Sequence, residues 1–198
     1  MFYKQLAPVS NESWKEIEER LMEVFKNYLS ARKVVKVVGP KGLDYNVISE
    51  GRLGQINEDG DLCYANYDVT PLTEVRIEFE MDRWELDNIL RGAKDVDYTP
   101  LEEAAKKIAL FEENVIYNGS EKLNIKGIVN SSEHDTLTFG NDQESILDSI
   151  AQGLIILKES YQEGPFVLVV GKDAYRRILS KGEGYSLLDK IESLTGHK

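Results

Sequence analysis

The chain has 198 residues, of which 41% are hydrophobic and 30% are charged, and its 24 Lys and Arg against 35 Asp and Glu give a formal net charge of −11. This is the composition of a folded protein, and no apolar run approaches the ~20 residues that a membrane-spanning helix needs. A single cysteine, Cys63, excludes an intramolecular disulfide, and the acidic balance argues against a nucleic-acid partner, because phosphate-backbone binding relies on clustered Lys and Arg.

A long amphipathic helix is predicted near the start of the chain, over residues 10–31. Ser10 or Asn11 can cap its first turn, since a side-chain oxygen there accepts a hydrogen bond from a free backbone N–H group. The opposite face is rich in glutamate and is interpreted as solvent-exposed. The apolar residues recur at steps of three and four and therefore share one face: Trp14, Ile17, Leu21, Val24, Phe25 and Tyr28.

The region from residue 33 to residue 80 has the pattern of β-strands. Residues 33–38 are rich in valine and predict a strand, and residues 71–80 predict another. Between them, residues 43–70 predict a long β excursion with a hairpin turn at Asp59-Gly60. This excursion offers few residues for a core of its own.

Helices dominate the rest of the chain. A short helix is expected over residues 82–91, and a longer one begins with the capping-box spacing Thr99-Pro100-Leu101-Glu102 and stops at Asn118-Gly119. Asn141-Asp142 opens a further helix, residues 166–170 predict a buried strand, and two short helices start at residues 173 and 187. The predicted fold class is α+β, with a weakly packed β arm near residue 50.

Catalytic chemistry has little support in the sequence. The two histidines are His134, in a loop-like acidic stretch, and His197, beside the C-terminus. Neither has a placed nucleophile or a metal-ligand spacing around it, and adjacent carboxylates on a helix point about 100° apart rather than converging on a substrate. A binding or structural protein is therefore favoured over an enzyme.

Several motifs occur along the chain in an order that resembles one known family, the encapsulins, shell proteins of bacterial and archaeal nanocompartments that are also labelled linocin-type bacteriocins. The resemblance extends over nearly the whole chain. Its motifs are Leu6-Ala7-Pro8-Val9-Ser10, Ala31-Arg32-Lys33-Val34-Val35, Gly39-Pro40, Pro71-Leu72-Thr73-Glu74-Val75-Arg76, Trp84-Glu85-Leu86-Asp87-Asn88 with Arg91-Gly92, Phe111-Glu112-Glu113-Asn114-Val115-Ile116-Tyr117-Asn118-Gly119, and Gly127-Ile128.

The resemblance implies a phage-capsid-like fold, of the tailed-phage major capsid type. Residues 1–46 and 71–129 would form a peripheral domain, residues 47–70 an extended loop that pairs with a neighbouring subunit, and residues 130–198 an axial domain that meets its copies at the five-fold axis. Family members continue past the equivalent of Lys198, so the chain is expected to stop before the family's C-terminal segment.

The implied function is self-assembly, as a homo-oligomer, into a cytoplasmic icosahedral shell that encloses cargo enzymes, commonly ferritin-like iron-storage proteins or peroxidases. In the family, a C-terminal peptide of the cargo docks on the inner wall, against the N-terminal helix. The matching positions are Phe25, Tyr28, Leu29 and Arg32, which are equally expected as residues facing the core.

Two further sites are implied by the resemblance. A five-fold pore loop would comprise Gly182, Glu183, Gly184 and Tyr185, with a simple surface turn as the alternative.

Some family members carry a flavin, FMN, stacked on a tryptophan, and Trp84 and Arg76 match its site. The alternative there is a core-packed Trp84, with Arg76 paired to Glu74 or Glu78.

Two other functions share parts of this pattern. A prophage or phage capsid subunit would have the same fold but package DNA, which the net charge disfavours. A bacteriocin or peptidase-type enzyme is suggested by labels the family has carried, but the sequence offers no nucleophile with a base beside it. The shell protein is the preferred interpretation.

Overall fold

A computed structural model of the protein describes residues 4–179 and 186–196. The chain divides into two compact units, Met1–Ser131 and Ser132–Lys198. The described residues form six α-helices: α1 (Asn11–Tyr28), α2 (Arg83–Leu90), α3 (Thr99–Asn118), α4 (Gln143–Glu159), α5 (Lys172–Ile178) and α6 (Leu187–Thr195). They also form six strands, all in two-stranded antiparallel sheets: β1 (Val47–Leu53) with β4 (Tyr67–Pro71), β2 (Asn57–Asp59) with β3 (Leu62–Tyr64), and β5 (Gly119–Ser120) with β6 (Ile125–Lys126).

The core of the first unit lies between α1, α2 and α3, where Ile17, Leu86 and Leu101 are buried together. As predicted, Ser10 caps α1, and its side chain accepts a hydrogen bond from the Ser13 backbone N–H at 3.0 Å. The Ser13 hydroxyl, itself buried, donates to the Leu86 carbonyl at 2.9 Å and so ties α1 to α2. Burial of apolar surface supplies most of the stability here, and this bond satisfies a buried polar pair.

Helix α3 begins with a different cap from the one predicted. Thr99 is already helical, and its backbone N–H donates to the Asp97 carboxylate at 2.9 Å, while the Glu102 side chain pairs with Arg20 instead of closing a capping box. The stop at Gly119 is confirmed. Gly119 has φ +77°, and a Cβ there would lie 2.5 Å from the Gly127 nitrogen, so only glycine fits.

A long hairpin, which we call the arm (Val47–Pro71), leaves the first unit. Ile48 pairs with Thr70 and Ser49 with Val69, and the register shifts before Leu53 pairs with Tyr67. At the tip, β2 and β3 are joined through Gly60, whose φ of +60° suits a tight turn, so the hairpin predicted there is confirmed.

The second unit has its core between α4, α5 and α6, where Ile146, Ile178, Leu187 and Ile191 are buried. Asp142 caps α4 through a capping box with Ser145. Hydrogen bonds from the Ser145 backbone and hydroxyl hold the pKa of the Asp142 carboxyl below its usual value, because they stabilise its charged form. The helix start predicted at this position is therefore confirmed.

Three predicted strands are wrong. Residues 33–38 form the end of a 3-10 turn and then irregular chain, and residues 72–80 and 166–170 are irregular chain that belongs to no sheet. The 166–170 segment is also not buried, since Val167 and Val169 are 45% and 50% exposed. These segments have strand-forming side chains, but a strand also needs a partner along the length of its backbone. Among the described residues, residues 72–80 and 166–170 form only single backbone bonds, from Leu72 to Asn46 and from Phe166 to Thr195.

Candidate assembly and cargo surfaces

The arm has almost no contact with a core. Apart from Thr70, every residue of its four strands is exposed, and neither hydrophobic cluster includes any of them. Five large apolar side chains are between 52% and 74% exposed: Leu53, Ile56, Leu62, Tyr64 and Tyr67. Cys63 is exposed beside them. A two-stranded hairpin is marginal by itself in water, so its apolar side chains and free strand edges suit it to contact with another chain.

The predicted cargo residues lie at the C-terminal end of α1, beside α3. Two ion pairs join this part of the chain to α3: Arg20 of α1 pairs with Glu102, and Arg32, just past α1, pairs with Glu112. Tyr28 is 36% exposed, and the Lys106 ammonium lies 5.3 Å from the centre of its ring. A cation therefore lies over the ring, and part of Tyr28 remains exposed to solvent.

The four predicted residues do not all face solvent. Phe25 is half-buried, and Leu29 is buried with 8% of its surface exposed, so Leu29 packs inward. Arg32 is exposed, but its Nε and Nη2 donate to both oxygens of the Glu112 carboxylate at 2.5 and 2.7 Å. Hydrogen bonding to Glu112 raises the pKa of Arg32 above its ordinary value. The exposed apolar surface among these four residues is therefore centred on Tyr28.

Sequence reasoning missed the acidic residues that shape this surface. Glu113 accepts hydrogen bonds from the Ser30 hydroxyl and from the Ala31 backbone N–H, and so fixes the turn that follows α1. Glu112 and Glu113 come about 80 residues after their partners. No local signal joins positions so far apart, and only the packing of α3 on α1 brings them together.

The predicted flavin residues are both on the surface. Trp84 is 71% exposed, so the alternative of a core-packed Trp84 is wrong, and the Arg91 guanidinium lies 5.8 Å from its ring centre. Arg76 pairs with Glu74 at 2.6 Å, as the other part of that alternative anticipated. An exposed indole fits a flat ring by stacking, whereas a phosphate on Arg76 would have to compete with Glu74.

The pore residues Gly182, Glu183, Gly184 and Tyr185 lie outside the described residues, as does His197. The His134 Nε2 is 3.3 Å from the Ser160 hydroxyl, at an exposed site. Within residues 4–179 and 186–196, no group of three or more His, Cys, Asp or Glu side chains is arranged to hold a metal ion. In the same ranges no helix is long and apolar enough to cross a membrane.

Comparison with known proteins identifies the family. A family model described as "Encapsulating protein for peroxidase" matches residues 1–198. The chain belongs to this family.

Its relatives include type 1 encapsulin shell proteins. That of Mycolicibacterium paratuberculosis is 34% identical over 194 residues, which cover 97% of this chain and 73% of the relative. Those of Mycobacterium tuberculosis and Rhodococcus erythropolis are each 33% identical, over 97% and 96% of this chain and 73% and 72% of the relative. The family consists of structural shell proteins, and this chain is an encapsulin-type shell protein with an α+β fold.

Proposed function

We propose that the chain assembles with copies of itself, through the arm, into a closed icosahedral shell with the phage-capsid-like fold. The arm is the observation that carries the proposal. Its four strands pack on no core, and five of its large apolar side chains are more than half exposed. Obligate interfaces are more apolar than ordinary surface, and a neighbouring subunit would bury this hairpin. Residues 1–46 and 71–129 would then be the peripheral domain and residues 130–198 the axial domain.

The shell would enclose a cargo enzyme in the cytoplasm, and the docking surface for the cargo peptide would be the exposed part of Tyr28 with the half-buried Phe25. A partly exposed aromatic side chain is a common anchor for a peptide. Arg32, already held by Glu112, would shape this surface rather than bind a carboxylate. Substituting Tyr28→Ser should weaken cargo loading, and Lys15→Ser, on the exposed face of α1, is the matched control.

A ring of Glu183 at the five-fold axis would attract cations into the shell, because repeated carboxylates focus a negative field. Glu183→Lys should slow metal entry into loaded shells and leave assembly unchanged. Unchanged uptake rates would contradict a gating role for this loop.

Sedimentation velocity combined with the ratio of absorbance at 260 and 280 nm tests the proposed function. A shell protein sediments as a large uniform particle with a protein-like absorbance ratio. A large particle with a nucleic-acid ratio would instead indicate a DNA-packaging capsid, which the net charge of −11 disfavours. A monomer at all concentrations would contradict both functions.

A further inference from the structure

Two peptide bonds of the chain join an aspartate or an asparagine to a glycine, Asp59-Gly60 and Asn118-Gly119. Such a bond can rearrange in water without an enzyme, because glycine has no side chain to shield its backbone nitrogen from the neighbouring carboxyl or amide carbon. Both bonds have this freedom in an unfolded chain. In the folded chain they lie in opposite surroundings, which decide the reaction rate of each.

Asn118-Gly119 is held at the end of α3. The Gly119 N–H donates to the Val115 carbonyl, and the Asn118 side-chain amide donates to the amide oxygen of Asn114 at 2.8 Å. A Cβ placed on Gly119 would lie 2.5 Å from the Gly127 nitrogen, so the chain is packed closely around this glycine. Attack of the Gly119 nitrogen on the Asn118 side chain therefore requires the end of the helix to open first.

Asp59-Gly60 lies at the tip of the arm, where β2 turns into β3. Both residues are exposed, and a Cβ placed on Gly60 would meet nothing within 4 Å beyond its neighbours in the chain. The turn is closed by the pairing of Asp59 with Leu62, and neither hydrophobic cluster includes these residues. A short exposed hairpin opens at a small cost in free energy, so the Gly60 nitrogen can reach the Asp59 carboxyl.

We propose that Asp59 is a site of spontaneous isomerisation in the single chain. The Gly60 nitrogen forms a bond to the side-chain carboxyl carbon of Asp59, and the carboxyl hydroxyl leaves with the amide proton as water, which closes a cyclic succinimide. Water then adds to the main-chain carbonyl carbon of Asp59, and the bond from that carbon to the Gly60 nitrogen breaks. The backbone now runs through the Asp59 side chain, a free carboxyl remains on its α-carbon, and the mass is unchanged.

The product has a longer backbone at the point where the arm turns. The hairpin pairs Asp59 with Leu62 and Glu58 with Cys63, and an extra backbone carbon after the Asp59 α-carbon moves these pairs out of register. Leu62, which is 63% exposed, then changes its position at the tip. The reaction needs only this chain and water, so it stands apart from shell assembly, and a neighbouring subunit that covered the arm would slow it.

The test follows the full 198-residue chain for several weeks at neutral pH, at a dilution at which sedimentation velocity shows single chains. Electron-transfer fragmentation of the peptides distinguishes isoaspartate from aspartate, and deamidation of Asn118 raises the mass of its peptide. A parallel sample in urea gives the rate of each bond in the unfolded chain. We expect isoaspartate to accumulate at Asp59 in the folded chain, and folding to slow the Asn118 reaction about tenfold or more beyond any slowing at Asp59.

Two controls assign the signal to Asp59-Gly60. Asp61-Leu62 lies at the same tip and is also exposed, but the Leu62 side chain hinders attack by its nitrogen, so Asp61 should isomerise much more slowly. Asp59→Glu keeps the charge, but its longer side chain cannot close a succinimide, so isoaspartate should disappear from the tip peptide while the circular dichroism stays like that of the parent.

Three results would overturn the proposal. The first is a folded chain without isoaspartate at Asp59 when the urea sample contains it. The second is equal slowing of the two glycine bonds by folding. The third is an isoaspartate content of the tip peptide that Asp59→Glu leaves unchanged, because the signal would then come from Asp61.

Discussion

Replacing residues 52–68 of the arm by a short Gly-Ser link should leave the first unit folded. The deletion keeps three of the four paired positions between β1 and β4, at Val47, Ile48 and Ser49, and removes only Leu53 with its partner. No deleted residue belongs to a hydrophobic cluster. Because surface changes away from a core have small effects, we expect the free energy of unfolding to change by about 1 kcal/mol or less.

The same deletion should abolish assembly. It removes the five large apolar side chains of the arm, which are 52–74% exposed in the single chain. Full burial of such a side chain is worth ~1.5–3 kcal/mol. Burying only the exposed part therefore contributes about 1–2 kcal/mol for each side chain, and about 5–9 kcal/mol for all five, before the entropy cost of association. Since 1.4 kcal/mol is a factor of ten, the association constant should fall by about 10⁴–10⁶.

Sedimentation velocity of the deletion variant beside the parent measures this loss, with urea denaturation reporting the fold. Asp61→Ser is the matched control, because it removes a charge from the tip of the arm without removing apolar surface. Closed particles formed by the deletion variant, or assembly lost equally in the control, would refute the reasoning about the arm.

Three further predictions concern stability and ligand binding. Leu101→Ala should lower the free energy of unfolding by about 2–5 kcal/mol in urea denaturation, because Leu101 is fully buried. The control Leu110→Ala, at a 48% exposed position, should lower it much less. Equal losses of unfolding free energy would contradict the assigned core. The pKa of Asp142 is lowered in the folded chain, so its charged carboxylate stabilises the fold at pH values above the ordinary pKa near 3.9. This contribution is lost as the pH falls through the lowered pKa of the folded state, so the free energy of unfolding should fall more steeply between pH 5 and 2 in the parent than in Asp142→Asn. Parallel plots of unfolding free energy against pH would contradict the cap. Added FMN should bind, measured by its fluorescence, and Trp84→Ala should weaken binding about threefold or more through loss of stacking; an unaffected Kd would exclude Trp84.

The helices could be predicted from the sequence because their signals are local. Ser10 and Asp142 cap the helices that follow them, and Gly119 ends α3, each through contacts within a few residues. The start of α3 shows how local signals compete. Asp97 bonds the Thr99 N–H, and Glu102 turns to Arg20, a partner 82 residues away that the capping-box pattern does not include.

Three strand predictions were wrong because a strand depends on a partner that is distant in sequence. Residues 166–170 have the side chains of a strand, but among the described residues only Phe166 has a backbone bond, to Thr195, and composition alone cannot supply a partner strand. The arm was predicted correctly as β structure because its strands pair with one another, β1 with β4 and, across the turn at Gly60, β2 with β3. The predicted cargo residues lie between these cases: Tyr28 could be placed on α1 from periodicity, while the contacts of Glu112 and Glu113 could be identified only from the packed helices.

Electron microscopy of particles purified from the 198-residue chain is the most direct test of the account. We expect closed hollow shells in which density for residues 47–71 leaves one subunit and lies along its neighbour. Closed shells in which the arm folds back on its own subunit, or preparations that hold only single chains at every concentration, would contradict the claim that the arm joins the subunits of a shell.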